Sequence, residues 1–541
     1  MKDCTLKKNY GVLFPRPLVV YFSLLLVLGL LPVRILLVGG EYSPAAENSS
    51  AKSLTVAHSR GVIYDRRLRR LTCESTVAVS VVKPALSALN ALRSVLDENE
   101  FSAISREISQ LNPVVLKIGN SVESDDIMTL PIYNRYSSSQ KASHIIGYLS
   151  DGETKGVSGI ERSFDYYLSA QSGRLDVRYF ADANGAGLQG TDFELVNSNY
   201  NSSGGVVLTI DKKIQSALEA AADECRLKKG AAVMLDIKSG EIVAAVSRPD
   251  YDRNNISSCL TDEDLPLFNR VFGSYPVGSV FKPLIAATAL ESGTDPLAEF
   301  ECKGYTVSGG KTFKCMKNHG TVNMASALAY SCNCYFINLI EQLDIGRVLE
   351  AAKNLGFGSS IELAEDMCTY SGNLPEAAEL EQAGARANFS FGQGSLTANV
   401  IQIACLYSAI ANGGEYKKPY LVKGLCDENM NIIDEYASPS PVKVFSESTA
   451  DTISSFLELA VREGTGTAAQ AENCRVGGKT ATAQTGEFIG GEERVVTWFA
   501  GFYPYEKPEY VLVVMCEDGD SGSSDCAPVF SKTVNNLLNN Y

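Results

Sequence analysis

The sequence predicts an α+β body on an N-terminal apolar helix. One apolar run near the start, strand-like runs at both ends of the second half and a helical middle between them point to it. The apolar run, PLVVYFSLLLVLGLLPV from Pro17 to Val33, continues past Arg34 to Val38. It is long enough to cross a hydrocarbon core of about 30 Å. Lys2, Lys7, Lys8 and Arg16 precede it, so the expected topology is a cytoplasmic tail (1–16), an uncleaved single-pass anchor (17–38) and an extracytoplasmic remainder.

After a polar stretch, residues 58–72 alternate as a short hairpin would. Leu86 to Leu111 has helical spacing, Val114 to Tyr148 is more strand-like, and Asn197 to Gly205 reads as a linker. The second half opens with a strand, Gly205 to Ile210, and a helix capped by Asp211 and running to about Cys225. A hairpin follows, Gly230 to Ile237 and Glu241 to Pro249 around Lys238-Ser239-Gly240. A largely helical middle spans Ser279 to about Ile410. Three strand-like runs (Cys474 to Gln484, Arg494 to Phe502, Tyr510 to Cys516) and a helix from Phe530 to Asn540 close the chain.

Composition narrows the function. The 541 residues, 45% hydrophobic, are enough for roughly two to four domains with real cores. A net charge of −15 argues against a nucleic-acid partner, which needs a basic face. Three scattered histidines (His58, His144, His319) leave little room for a His-rich metal site. The 14 cysteines include no C-x-x-C pair, and Cys332-x-Cys334 is a weak metal signal, so neither metal nor cofactor is expected. Catalysis should run on hydroxyls, lysines and backbone amides.

Three motifs carry that chemistry. In YPVGSVFKP, Ser279 and Lys282 are three residues apart and share a helix face, so a buried amine can serve as base for the hydroxyl. Pro283 cannot donate within a helix, which places Ser279 at the helix start, near free N–H groups. In ALAYSCNCYFINL, Ser331 can relay a proton and Asn333 can hold a substrate amide; helix capping is the plainer alternative. In VGGKTATAQT, Lys479, Thr480 and Thr482 on a strand offer a cation and two hydroxyls to a carboxylate.

S-x-x-K, S-x-N and K-T-[small] in this order form the set of the penicillin-recognising serine acyltransferases. The chain resembles the class B (monofunctional) penicillin-binding proteins, peptidoglycan D,D-transpeptidases of the elongation, division and sporulation machineries. The likeness rests also on SRGVIYDR (Ser59 to Arg66), Arg135-Tyr136, HIIGYL (His144 to Leu149) and GVSGIE (Gly156 to Glu161). It extends to LTIDKKIQ (Leu208 to Gln215), SGEIVAAVSRPDYDRN (Ser239 to Asn254), FGQGSLTANVIQIA (Phe391 to Ala404), ANGG (Ala411 to Gly414) and WFAGFYP (Trp498 to Pro504).

The resemblance implies an extended mixed α/β pedestal (54–200) and a transpeptidase domain (205–541) built on a five-stranded antiparallel sheet flanked by helices. It makes Ser279 the acylated nucleophile, Lys282 its general base, Ser331 a proton relay and Asn333 the holder of the donor's amide. Lys479, Thr480 and Thr482 would receive the terminal carboxylate. The N–H groups of Ser279 and Thr482 would form an oxyanion hole, each donor worth about 3 kcal/mol at the transition state. A D-Ala-D-Ala stem peptide would acylate Ser279 with release of D-Ala, an amine of a neighbouring stem would take the acyl group, and β-lactams would stall as acyl-enzymes. A membrane-embedded glycosyltransferase of the shape, division and sporulation kind is the implied partner, and the bacterial cell membrane the implied location. Neither an appended C-terminal wall-binding module nor a glycosyltransferase domain is expected.

Two departures stand out. Ala481 replaces the family's glycine and could crowd the nucleophile, which is the one support for an alternative reading as an impaired scaffold recruiting synthesis partners. Val277 stands where the family has proline, with Pro276 one residue earlier. Cys315 and Cys332 are read either as a redox-sensitive disulfide that distorts Ser331 and Asn333 or, with more weight, as two reduced buried thiols. His319 is read as loop structure rather than catalysis.

Overall fold

The computed structural model describes residues 16–40, 50–117, 122, 124–137, 140–150, 154–188 and 190–539. The tail with Lys2, Cys4, Lys7 and Lys8, the polar stretch 41–49 and the loop 151–153 lie outside the described residues. A helix spans Arg16–Gly40, and its stretch Arg16–Ile35 is long and apolar enough to span a membrane, with no protein covering it.

The chain divides into two compact units. The first comprises 1–58, 77–132 and 174–198, the second 59–76, 133–173 and 199–541. In the first unit, the helices Leu86–Leu92 and Glu98–Ser109 bury Ala88, Leu92, Ile104 and Ile108 with Val82 and Ile127. A capping box between Asp97 and Glu100 starts the second of these helices. Within 58–72 the chain turns back on itself as expected: Tyr64 and Arg70 form an antiparallel bridge, Asp65 N donates to Arg69 O at 2.9 Å and Leu71 N to Ile63 O at 2.8 Å. Val62–Tyr64 pairs parallel with Gly205–Val207, more than a hundred residues away, a partner that local alternation does not reveal.

The second unit is built on an antiparallel sheet of five strands, in the order Ile242–Arg248, Gly230–Asp236, Tyr510–Glu517, Glu492–Tyr503, Gly477–Ile489. Its two inner faces follow the period of two. Val511, Val513 and Met515 join the larger core with Trp498, Ala500 and Phe502, whereas Leu512 and Val514 face the other side with Phe499 and Tyr503. The helices Lys212–Glu224 and Ala527–Asn539 cover the second face through Ile214, Leu218, Phe530 and Val534. The first face is covered by Val400–Ala411, in which every residue from Val400 to Ile410 is buried. With both faces covered, these strands read as nearly continuous apolar runs. Asp211 caps its helix as expected, accepting from Lys213 N at 2.9 Å.

The quoted motifs outside the cleft hold this unit together. Glu161 is fully buried and accepts from Arg60 Nε at 3.0 Å, Arg135 Nε at 2.7 Å and the Tyr136 hydroxyl at 2.9 Å. Trp498, the chain's only tryptophan, donates from Nε1 to Pro276 O at 2.9 Å and so ties the sheet to the turn that carries Ser279.

Candidate functional site

Ser279 lies in a 3-10 turn, Gly278–Phe281, that runs into the helix Lys282–Glu291, as Pro283 at the helix start requires. Gly278 has φ +61°, and a Cβ there would stand 3.2 Å from the methyl of Ala483 and 3.3 Å from that of Ala481. The Ala481 methyl is thus turned beneath the glycine that precedes the nucleophile, only 4% exposed. It fills the space the missing side chain leaves.

The second motif joins two helices. Met324–Ala329 begins with a capping box between Asn323 and Ser326 and ends in a Schellman arrangement: Ser331 N donates to Leu328 O at 3.2 Å and Cys332 N to Ala327 O at 2.8 Å. Ser331 occupies the left-handed position of that arrangement, with φ +61°, where glycine is the usual residue. A serine there opposes local backbone preference by about 1–2 kcal/mol. Helix Asn333–Glu341 follows at once, with Cys332 at its N-cap position.

These elements bring four of the candidate residues into hydrogen-bonding distance. Ser331 Oγ donates to Ser279 Oγ at 3.0 Å. The Lys282 ammonium donates to Ser331 Oγ at 3.2 Å, Ser331 O at 2.9 Å and Asn333 Oδ1 at 2.7 Å. Lys282 thus reaches Ser279 through the Ser331 hydroxyl. Its side chain is wholly buried, and desolvation pushes its pKa down to about 7, while the thiols of Cys332, Cys315 and Cys334 oppose that shift.

The third motif lies on Gly477–Ile489, the edge strand beside the Ser279 turn. Lys479 is wholly buried, and its pKa is held well below the usual lysine range by desolvation first and by the charge of Lys282 second. Its Nζ donates to Thr480 O at 2.9 Å and to Thr465 Oγ1 at 3.1 Å, while Thr480 Oγ1 donates to Thr465 Oγ1 at 2.8 Å. Thr482 is exposed on the same strand. Sequence reasoning missed Thr465. It lies in the turn Glu463-Gly464-Thr465-Gly466, where a Cβ at Gly464 would stand 2.3 Å from Ala329 O. That close approach lets Thr465 N donate to Ala329 O at 3.1 Å. Thr465 therefore links the third motif to the end of the helix that leads into the second. Two glycines flanking a threonine were the available signal.

On the far side of Cys332, four soft donors converge: Cys302, Cys315, His319 and Cys332. Cys315 and Cys332 are both free thiols with sulfurs 3.9 Å apart.

A five-stranded sheet whose edge strand borders a buried Ser–Lys–Ser cluster defines a penicillin-binding serine acyltransferase. The chain belongs to the penicillin-binding protein transpeptidases: residues 230–535 match the penicillin binding protein transpeptidase domain, and the relatives place it among the class B D,D-transpeptidases. It is 28% identical to stage V sporulation protein D of Bacillus subtilis (strain 168), over 92% of this chain and 81% of that one. Identity is 27% to the peptidoglycan D,D-transpeptidase MrdA of Haemophilus influenzae, over 97% of this chain and 91% of that one. Among solved structures, a peptidoglycan synthase complex described as coordinating polymerization and crosslinking matches at TM-score 0.67 and 26% identity, covering 96% of this chain and 97% of that one. Penicillin-binding protein PBP2 of Helicobacter pylori shares the fold at TM-score 0.67 and 20% identity, over 90% and 99%.

Proposed function

We propose that the chain cross-links peptidoglycan stem peptides through an acyl-enzyme on Ser279. The observation that carries this reading is the hydrogen-bonded path from Ser279 Oγ through Ser331 Oγ to a buried Lys282 amine. A lysine with a pKa near neutrality supplies a neutral amine at physiological pH. As Ser279 Oγ attacks the penultimate D-Ala carbonyl, its proton passes to Ser331, whose own proton passes to Lys282. Return of a proton to the leaving nitrogen frees D-Ala, and the same groups then deprotonate the acceptor amine. Asn333 holds the donor's amide, and Lys479, Thr480 and Thr482 receive its carboxylate. The N–H groups of Ser279 and Thr482 face the developing oxyanion. A β-lactam enters by the same route and stays on Ser279.

The apolar helix anchors the chain in the bacterial membrane, with the basic tail inside and the catalytic unit outside. A membrane glycosyltransferase supplies the glycan strands, a pairing supported by the synthase complex among the structural relatives. The test is release of D-Ala from a D-Ala-D-Ala pentapeptide in the presence of an amine acceptor. Release and cross-linked product are expected from the wild type and neither from Ser279→Ala; equal release from both would refute the assignment.

A further inference from the structure

A cavity lies beside the turn that carries Ser279. Tyr275–Pro276 pairs antiparallel with Thr397–Ala398, and Gly278 N donates to Gly392 O at 2.8 Å. A Cβ at Gly392 would stand 2.0 Å from Gly278 O, so only glycine permits this approach. Phe389 packs its ring against that of Phe281, with centroids 5.2 Å apart. The loop from Gln393 to Ser395, between Gly392 and Thr397, is therefore held against the nucleophile's turn. It forms one wall of a cavity of about 300 Å³, a volume within the range of small-ligand sites (about 300 to 1,000 Å³).

Another wall is the hairpin Tyr305–Ser308 and Lys311–Lys314. Its strands alternate, so Lys311 and Phe313 line the cavity and Lys314 does not. The helix Ala383–Ser390 contributes Asn388, and the preceding turn contributes Glu379. Lys311 Nζ lies 3.9 Å from where a Cβ of Gly384 would stand, at the second residue of that helix. The first turn there holds no acidic residue and no side-chain cap, so a cation occupies a place where the helix dipole favours an anion. Lys311 has no ion pair among the described residues. Glu379 lines the same cavity but does not pair with it; its Oε1 accepts the Ser395 hydroxyl instead. The side-chain amides of Asn388 and Gln393 also have no hydrogen-bond partner among the described residues.

We infer that this cavity binds the side chain of the donor-stem residue that precedes D-Ala-D-Ala, and that this side chain ends in an amino-acid head group, an ammonium and a carboxylate on one carbon. The inference rests on the function proposed above and names the stem residue as a diamino dicarboxylic acid rather than lysine. A lone anion would be repelled by Glu379 and a lone cation by Lys311. A group with both charges satisfies both, its carboxylate on Lys311 at the helix start and its ammonium on Glu379. The free amides of Asn388 and Gln393 can donate to the carboxylate or accept from the ammonium. Phe313 and Leu380 give the cavity an apolar part that suits the methylenes carrying the head group. The reach fits as well. The residue before the acylated D-Ala lies one Cα step of about 3.8 Å from it, and Gln393 is one residue beyond the Gly392–Gly278 contact. The acceptor amine must come to Ser279 itself, so it is not the group held here.

The test uses the full chain in detergent and three penicillins that differ only in the charges of the acyl side chain. The δ-(α-aminoadipoyl) compound carries both charges, the adipoyl compound the carboxylate alone, and the 5-aminopentanoyl compound the ammonium alone. The second-order rate of Ser279 acylation is expected to be at least about tenfold higher for the first than for either of the others. Lys311→Gln should lower the aminoadipoyl rate to the level the wild type shows with 5-aminopentanoyl, and Glu379→Gln to the level it shows with adipoyl. Lys314→Gln, outside the cavity on the same strand, should leave all three rates unchanged. The three substituted side chains are exposed, and circular dichroism reports whether each variant is folded. A folded wild type that takes the adipoyl or the 5-aminopentanoyl compound as fast as the doubly charged one overturns the subsite. An undiminished preference in folded Lys311→Gln or Glu379→Gln overturns it too. Failure of all three penicillins to acylate a folded wild type strikes the proposed function itself, and the subsite with it.

Discussion

Ser331 Oγ stands 3.0 Å from Ser279 Oγ on a residue whose backbone is left-handed. The hydroxyl is thus held where glycine would be more comfortable. Replacing Ser331 with Gly should raise stability by about 1 kcal/mol, through relief of the left-handed strain, while acylation falls by about 10²- to 10⁴-fold with the relay gone. Ser331→Ala should lose the same activity without the gain in stability. Thermal unfolding and stopped-flow acylation by a chromogenic β-lactam measure the two effects; a Ser331→Gly chain that stays fast contradicts the relay.

The pH dependence of acylation follows from Lys282. Burial disfavours its charged form, so the folded pKa lies near 7 rather than near the 10.5 of an exposed lysine. The neutral amine accepts the proton, hence the rate should rise as pH increases through about 7 and level above it. Lys282→Gln should remove this limb together with most of the activity. A limb centred near pH 10 would show that the amine is not desolvated in the working enzyme.

Thr465 positions the third motif through two side-chain hydrogen bonds. Thr465→Val keeps the shape and removes both, leaving a buried Lys479 with fewer partners, so acylation efficiency should fall about tenfold or more, mainly through weaker binding. Thr465→Ser restores the hydroxyl and should restore most of it. A split between KM and kcat distinguishes this from a general loss of fold, and an unchanged KM in Thr465→Val would remove the role.

Much of the site and sheet was legible because the relevant signals are local. Pro283 alone forces Ser279 to the helix start, and the strand-like runs Arg494 to Phe502 and Tyr510 to Cys516 fall on the strands Glu492–Tyr503 and Tyr510–Glu517. What escaped depends on partners far along the chain. Val62–Tyr64 pairs with Gly205–Val207, and the hairpin strands between 300 and 322 interrupt a region read as helical. Thr465 meets Lys479 and Thr480 only once its turn has packed against Ala329. Ala481 looked like an obstruction in the sequence, but the fold packs its methyl against Gly278, where no side chain stands.

Glu161 pairs with two buried guanidiniums, those of Arg60 and Arg135, which have little solvent to fall back on; Asp165 supplies a second carboxylate, to Arg60 at 2.6 Å. Glu161→Ala should destabilise the second unit by about 3–5 kcal/mol, the usual result of stripping one partner from a buried ion pair. Denaturant unfolding of the full chain measures it. A loss below about 1 kcal/mol would mean that the cluster is hydrated in solution.

The proposed function requires a covalent acyl-enzyme on Ser279. Intact mass spectrometry after incubation with a β-lactam tests it most directly. One stable adduct of the antibiotic's mass is expected on the wild type and none on Ser279→Ala. An adduct that survives in Ser279→Ala, or its absence from a folded wild type, would contradict it.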